Sequence, residues 1–312
     1  MTDKLKQRFC KDMNLSIQLF NEPYFENRVK LLGKYEQWQD FNELLKERFN
    51  NNEEAFLAEY NALKDEIINY IKESEAFNKL NSIDMNEFAV KTNIRQSDVY
   101  KMPNVGKGFM SIDMRRANFS SLVTFGKNTN TYFFNSCNWQ EFMSKFTGIK
   151  YFMDSKYIRQ VVFGNCNPKR QVGYEKYLMF NQVLTPLVKE GLISESNIYS
   201  LCSDEIIIDT AELTDATIRN IDKFTKTVSF PLKTQVYVLG KIEGTDAFIK
   251  NISTEDGKLV DKLEPKCVNP MEAPAIYRFL NDEQLKDEDY YFLYNGRLAR
   301  FVEQPEISIR YN

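Results

Sequence analysis

The chain has 312 residues, of which 43% are hydrophobic, with a formal net charge of -3 and no histidine. That length permits one large or two modest domains around a substantial core, and no apolar run approaches the roughly 18 to 20 residues that span a bilayer. The lack of histidine excludes Ser/His/Asp and Cys/His nucleophilic catalysis and histidine-ligated zinc, which leaves carboxylates, lysines, hydroxyls and metal to do any chemistry.

The opening Met-Thr-Asp-Lys-Leu-Lys-Gln-Arg lacks the apolar stretch of a signal peptide, so a cytoplasmic protein with no membrane partner is expected. Up to residue 88 the apolar spacing is helical, as in Glu36 to Phe49 and Glu54 to Ile71 around Asn50-Asn51-Asn52, which predicts a helical N-terminal arm over 1–88. Asn86 to Gly108 reads as strands or a hairpin leading into an acidic strand at 109–113. After a polar loop at Lys127 to Thr131, helices are expected over Trp139 to Phe146, Ser155 to Phe163 and Tyr174 to Glu190, the last ended by Gly191. Strands follow around 198–209, then a helix from Leu213 to Thr227 and a strand from Thr234 to Ile242. The last seventy residues are mixed, with strand signals at Tyr290 to Tyr294 and Leu298 to Val302. This order predicts an α+β fold, an antiparallel palm sheet backed by helices, with a fingers/palm unit over 89–245 and a thumb-like or accessory region over 246–312. The five cysteines, Cys10, Cys137, Cys166, Cys202 and Cys267, are odd in number and scattered, which predicts free thiols.

Two segments carry the chemistry. Ser111-Ile112-Asp113-Met114 and, ninety-one residues on, Cys202-Ser203-Asp204-Glu205-Ile206 each place acids at the edge of an apolar run that reads as a buried strand. Buried carboxylates side by side are costly unless a cation neutralises them, most simply Mg²⁺ or Mn²⁺. Three carboxylates brought together suit two-metal phosphoryl transfer. The plain alternative makes Asp113 a turn cap and Asp204-Glu205 a hairpin tip. Charge is uneven too: residues 91–116 hold six basic and two acidic residues, 145–176 hold seven and two, and 39–77 hold ten acidic and four basic. The basic stretches flank Asp113 and would form a phosphate-handling surface, with Lys169 and Arg170 on a nucleic-acid groove, or else only solvate the protein.

The pattern resembles the palm of reverse transcriptases. Asp113-x-x-x-Ala117-x-Phe119-Ser120 looks like that family's first acidic motif, Gln171 with Phe180-Asn181 like its glutamine-glycine motif, and Cys202-Ser203-Asp204-Glu205 like its Tyr-x-Asp-Asp turn. Lys233-Thr234 and Leu239-Gly240-x-Ile242 resemble the trailing motifs, so the similarity covers residues 89 to 245. Val172, Cys202 and Glu205 stand where the family has glycine, tyrosine and aspartate. Ser203-Asp204-Glu205 is also similar to the metal motif of tRNA-histidine guanylyltransferases.

The resemblance implies a polymerase that takes nucleotide triphosphates and RNA and/or DNA, in the manner of small antiphage reverse transcriptases, with a protein or RNA partner left open. Asp113, Asp204 and Glu205 would hold metal, and Lys233 would act as general acid, in competition with Lys223 and Lys226. Lys91, Arg95, Arg115, Arg116 and Gln171 would contact the nucleotide. Asn118 would lie beneath its sugar, where a small polar residue admits a ribonucleotide. An RNA-synthesising or terminal nucleotidyltransferase, or a non-catalytic palm subunit that binds nucleic acid, would fit the altered motifs as well.

Overall fold

The computed structural model describes residues 1–15, 24–131, 133, 138–295, 297–303 and 306–312, and Cys137 lies outside them. Among the described residues the N-terminal helices are α1 (Asp3–Asp12), α2 (Tyr24–Leu31), α3 (Tyr35–Phe49), α4 (Glu53–Glu73) and α5 (Glu75–Ser82). The break before α4 comes from Asn50 and Asn51, both left-handed with φ of 49° and 58°, a conformation asparagine tolerates better than most residues. Asn52 then caps α4, its side chain accepting from the Ala55 N–H at 3.0 Å. The helix buries Phe56, Tyr60, Leu63, Ile67 and Ile71 as one stripe.

These helices are not a detached arm. Their apolar residues belong to the same core as the later helices and one face of the sheet, so packing is continuous across residue 88. Buried Asp12 of α1 accepts hydroxyl hydrogen bonds from Tyr60 (2.5 Å), Tyr151 (2.7 Å) and Ser155 (2.6 Å), which ties the first helix to the middle of the chain.

The main sheet is antiparallel. Its strands β1 (Gly108–Met114), β2 (Ile198–Leu201), β3 (Glu205–Asp209), β4 (Leu232–Glu243), β5 (Phe248–Glu255) and β6 (Lys258–Lys266) lie in the order β2-β3-β1-β4-β5-β6. β7 (Tyr291–Tyr294) and β8 (Arg297–Arg300) form a separate hairpin, and β9 (Ser308–Arg310) returns to pair with β4. The helices between strands are α6 (Ala117–Thr129), α7 (Trp139–Met143), α8 (Lys150–Asp154), α9 (Lys156–Gly164), α10 (Pro168–Leu178), α11 (Thr185–Lys189), α12 (Asp215–Thr225) and α13 (Ala273–Leu280).

Several boundaries differ from expectation. No strand forms between 86 and 107; two 3₁₀ turns, Met85–Phe88 and Met102–Asn104, are joined by irregular chain. That chain lies along β2, where the Ser97 N–H donates to Ser200 Oγ (2.9 Å) and the Leu201 N–H to the Arg95 carbonyl (3.3 Å), without building a ladder. α6 takes up most of the expected loop at 127–131. α10 begins six residues early at Pro168, whose fixed φ suits a first helical position. It reaches α11 through a π turn at Met179–Leu184, just ahead of Pro186, which has no N–H for the ladder. The sheet also runs past residue 245. Asp256 and Gly257, with φ of 51° and 75°, make the two-residue turn that joins β5 to β6.

Alternation gives the sheet two unlike faces. Met110, Ile112, Met114, Ile206 and Ile208 pack on the helices in the main core. Phe109, Ile207, Tyr237, Leu239, Phe248 and Ile252 form a smaller cluster on the opposite face, closed by Val99. Asp113 is two pleats from Phe109 and so lies on that second face.

Gly106 has φ of +83°, and a Cβ there would collide with the Tyr311 carbonyl oxygen. Gly106→Ala should therefore lose about 1 to 3 kcal/mol through combined backbone strain and displacement of the chain after β9. A urea-unfolding midpoint equal to that of the wild type would show that this contact carries no stability.

Candidate functional site

Backbone geometry brings the acids together. β3 runs antiparallel to β1 with Asp113 opposite Glu205, and β4 flanks β1 on its other side with Lys233 opposite Asp113. Directly opposed residues share a face, so Glu205, Asp113 and Lys233 form a row across three strands. The Cys202 N–H donates to the Glu205 carbonyl (2.8 Å), closing a turn whose tip is Ser203-Asp204. The Met114 N–H donates to the Asp204 carbonyl (2.8 Å) and fastens that tip to the end of β1. Ser203 Oγ donates to Asp204 Oδ1 at 3.2 Å.

The carboxyls disfavour one another's charge. Burial, followed by Glu205 and Asp204, pushes the Asp113 carboxyl up to about 6, against the opposing pull of Lys233 and Lys250. Burial also raises Glu205; Lys250 opposes this and Asp204 adds to it. Glu175 of α10 is pushed up to about 7 by burial and then by Asp204, with Ser121 opposing, and its Oε1 has no hydrogen-bond partner among the described residues. Perturbed carboxyls gathered around one turn mark a functional-site candidate.

Among the described residues, no three Cys, Asp or Glu side chains are arranged to hold a metal ion by themselves. The donor set nonetheless suits Mg²⁺ or Mn²⁺, because Mg²⁺ takes one or two carboxylates and completes its shell with water and substrate phosphate. The excess negative charge on Asp113 is what such a cation would neutralise.

A cleft of about 490 Å³ opens beside this row, within the range of small-molecule sites. Asp113, Lys233, Arg115 and Arg116 line it, with Phe119 and Trp139 as apolar walls. Lys233 also pairs with Glu255 at 3.6 Å. Arg115 pairs with Asp256 and donates to the Leu232 carbonyl (3.1 Å). Arg116 caps α6 in the left-handed region, φ 52°, and donates to Gln140 Oε1 (2.7 Å).

Other sequence candidates lie elsewhere. Gln171 is 0% exposed, and its amide donates to the Cys166 carbonyl, so it supports the start of α10 and cannot touch a nucleotide in this state. Arg170 donates to the Leu80 (2.9 Å) and Ile83 (2.7 Å) carbonyls, a structural clamp on the end of α5. Lys169 lines a different groove with Met85, Val90 and Lys176. Lys91 and Arg95 are exposed on the irregular segment and do not line the cleft. Asn118 is half-buried in the first turn of α6, its carbonyl accepting from Ser121 Oγ (3.1 Å), and it does not line the cleft either.

Three residues escaped the sequence reading: Glu175, Trp139 and Lys250. Lys250 is 4% exposed on β5, with its ammonium 4.3 Å from the Tyr237 ring centre. Burial pushes it down to about 8, with Glu205 the largest opposing influence. The alternation Phe248-Lys250-Ile252 was the readable signal, since both apolar neighbours point inward.

No protein-family model matches the chain, and no curated protein or solved structure matches it. Among the described residues no helix is long and apolar enough to cross a membrane. Fold and site together define an α+β protein with an acid row, beside a basic cleft, at the end of an antiparallel sheet.

Proposed function

We propose that this chain is a reverse transcriptase-like nucleotidyltransferase that extends RNA or DNA from nucleoside triphosphates. The observation that supports it is the convergence of Asp113, Asp204 and Glu205 at a strand end pinned by main-chain hydrogen bonds. Asp113 and Asp204 would hold Mg²⁺ or Mn²⁺, with Glu205 divided between that role and offsetting the buried charge of Lys250. When bound, the ions supply charge neutralisation for phosphoryl transfer. Lys233 stands beside Asp113, where it can hold a proton or a phosphate oxygen. Arg115 and Arg116 line the cleft that would take the nucleotide, and Phe119 and Trp139 exclude water from it.

Incubation of the purified protein with each labelled NTP and dNTP, with Mg²⁺ and with or without template, tests this. Metal-dependent incorporation supports it, and incorporation without template points to a terminal transferase. No product from any nucleotide, with any template, overturns it.

With divalent ions chelated, Asp113 should make the protein less stable as pH rises from about 4 to about 6. The unfolded carboxyl loses its proton near 3.8 and the folded one near 6, so the folded state binds more protons in this window and stability falls. Partial solvent contact limits the effect to about 1 to 2 kcal/mol. Asp113→Asn should abolish it and be the more stable protein at pH 7. Urea midpoints at pH 4.5 and 7 check this; parallel profiles for the two proteins would remove Asp113 from the acid cluster.

A further inference from the structure

Asn138 lines the cleft together with Asp113, Lys233 and Arg116. Its Oδ1 accepts the Glu141 N–H at 2.9 Å as the N-cap of α7, and this bond fixes which end of the amide is oxygen. The exposed side chain therefore presents its Nδ2, which has no hydrogen-bond partner among the described residues. The other neutral donors on the cleft wall are committed. Ser120 Oγ donates to the Arg115 carbonyl at 2.6 Å, and the Trp139 indole N–H donates to the Met153 carbonyl at 2.8 Å. Among the described residues, Asn138 is thus the uncharged side chain of the cleft with a donor left for a ligand. It is also tied to the cationic wall, because Arg116 donates to Gln140 Oε1 (2.7 Å), two residues further along the chain in α7. A ligand atom that meets Asn138 is therefore an acceptor, next to any anion that Arg116 attracts.

We propose that Asn138 reads the sugar of a nucleoside triphosphate, its Nδ2 donating to the ribose 2′-hydroxyl oxygen and so favouring ribonucleotides. The choice of a nucleotide rests on the nucleotidyltransferase function proposed above, whereas the free donor on the cleft wall does not need it. In such a ligand the sugar joins the phosphates to the base, so a neutral donor beside a phosphate-seeking guanidinium faces the sugar. The 2′-hydroxyl can accept as well as donate, and its absence is what distinguishes a deoxyribonucleotide. Asn118, where the sequence placed sugar selection, does not line the cleft. Asn138 caps a different helix, so no motif around Asp113 or Asp204 points to it.

The test is calorimetric titration of the full chain with ATP and with 2′-deoxy-ATP, each with Ca²⁺ and without template or primer, so that binding is read apart from turnover. The wild type should bind ATP about two- to tenfold more tightly, the range of one net hydrogen bond. Asn138→Ser keeps a capping oxygen for the Glu141 N–H but is too short to reach the sugar. It should lower ATP affinity to that of 2′-deoxy-ATP and leave the latter unchanged, whereas a residue that only caps α7 would move neither or both together. Asn118→Ser should keep the wild-type ratio. Equal affinities in the wild type, or a wild-type ratio in Asn138→Ser, overturn the proposal. So does a loss in Asn138→Ser that differs between ATP and UTP while the sugar ratio stays the same, which would assign the amide to the base. Sugar-dependent binding through Asn138 without incorporation on any template sinks the nucleotidyltransferase function and leaves the sugar contact standing. Incorporation with equal affinity for both sugars does the reverse, and a chain that binds neither nucleotide overturns both.

Discussion

Asp113→Asn and Asp204→Asn should each cut nucleotide incorporation by at least about 10³-fold while leaving the protein folded. Both changes keep side-chain shape and remove one formal charge, and phosphoryl transfer depends almost wholly on positioning and charge stabilisation. Folding should survive because the turn is held by main-chain bonds, Cys202 to Glu205 and Met114 to Asp204, which neither substitution touches. The loss should come with retained or raised thermal stability in Asp113→Asn, since the native carboxyl is strained by its neighbours. Full activity in either variant, or in EDTA, would remove these carboxylates from the chemistry.

The second large effect is structural. Asp289, its side chain fully buried, accepts from Arg28 of α2 through one oxygen and from Arg278 (2.9 Å) and the Lys286 N–H (2.9 Å) through the other. Arg28 also donates to the Glu288 carbonyl. Asp289→Ala would leave two buried guanidiniums short of their shared counter-ion, at a cost of about 3 to 5 kcal/mol. The urea midpoint should fall accordingly and α2 should lose amide protection. A loss below about 1 kcal/mol would mean that the cluster does not hold the C-terminal region to α2.

How much of this was legible varied with the kind of signal. Apolar spacing in α3 and α4, and the apolar strands at 109–113 and 205–208, depend on local periodicity and are visible in the chain. The juxtaposition of Asp113 and Glu205 is a matter of register across ninety residues; it could be inferred only from resemblance to a known arrangement. The β5–β6 hairpin was missed although Asp256-Gly257 is a strong turn signal, because charged residues on its edge strand hide the alternation. Gln171 was misplaced because inward-facing polar side chains look like surface residues until packing is known. Glu175 was lost the same way: with Gln171, Tyr174 and Leu178 it completes a buried helical face of which half the residues are polar. The 89–107 segment misled because β-branched residues imply a strand only when a partner ladder is available.

The bond between Arg28 and Asp289 spans 261 residues, and this bears on how the chain is made. At about 5 to 20 residues per second, Arg28 leaves the ribosome roughly 13 to 50 seconds before its partner. Over that interval α2 carries a guanidinium that burial would leave unneutralised, so its docking against this region is deferred until Asp289 has emerged. Closure of this contact is therefore a late event in synthesis, although it joins one of the first helices of the chain.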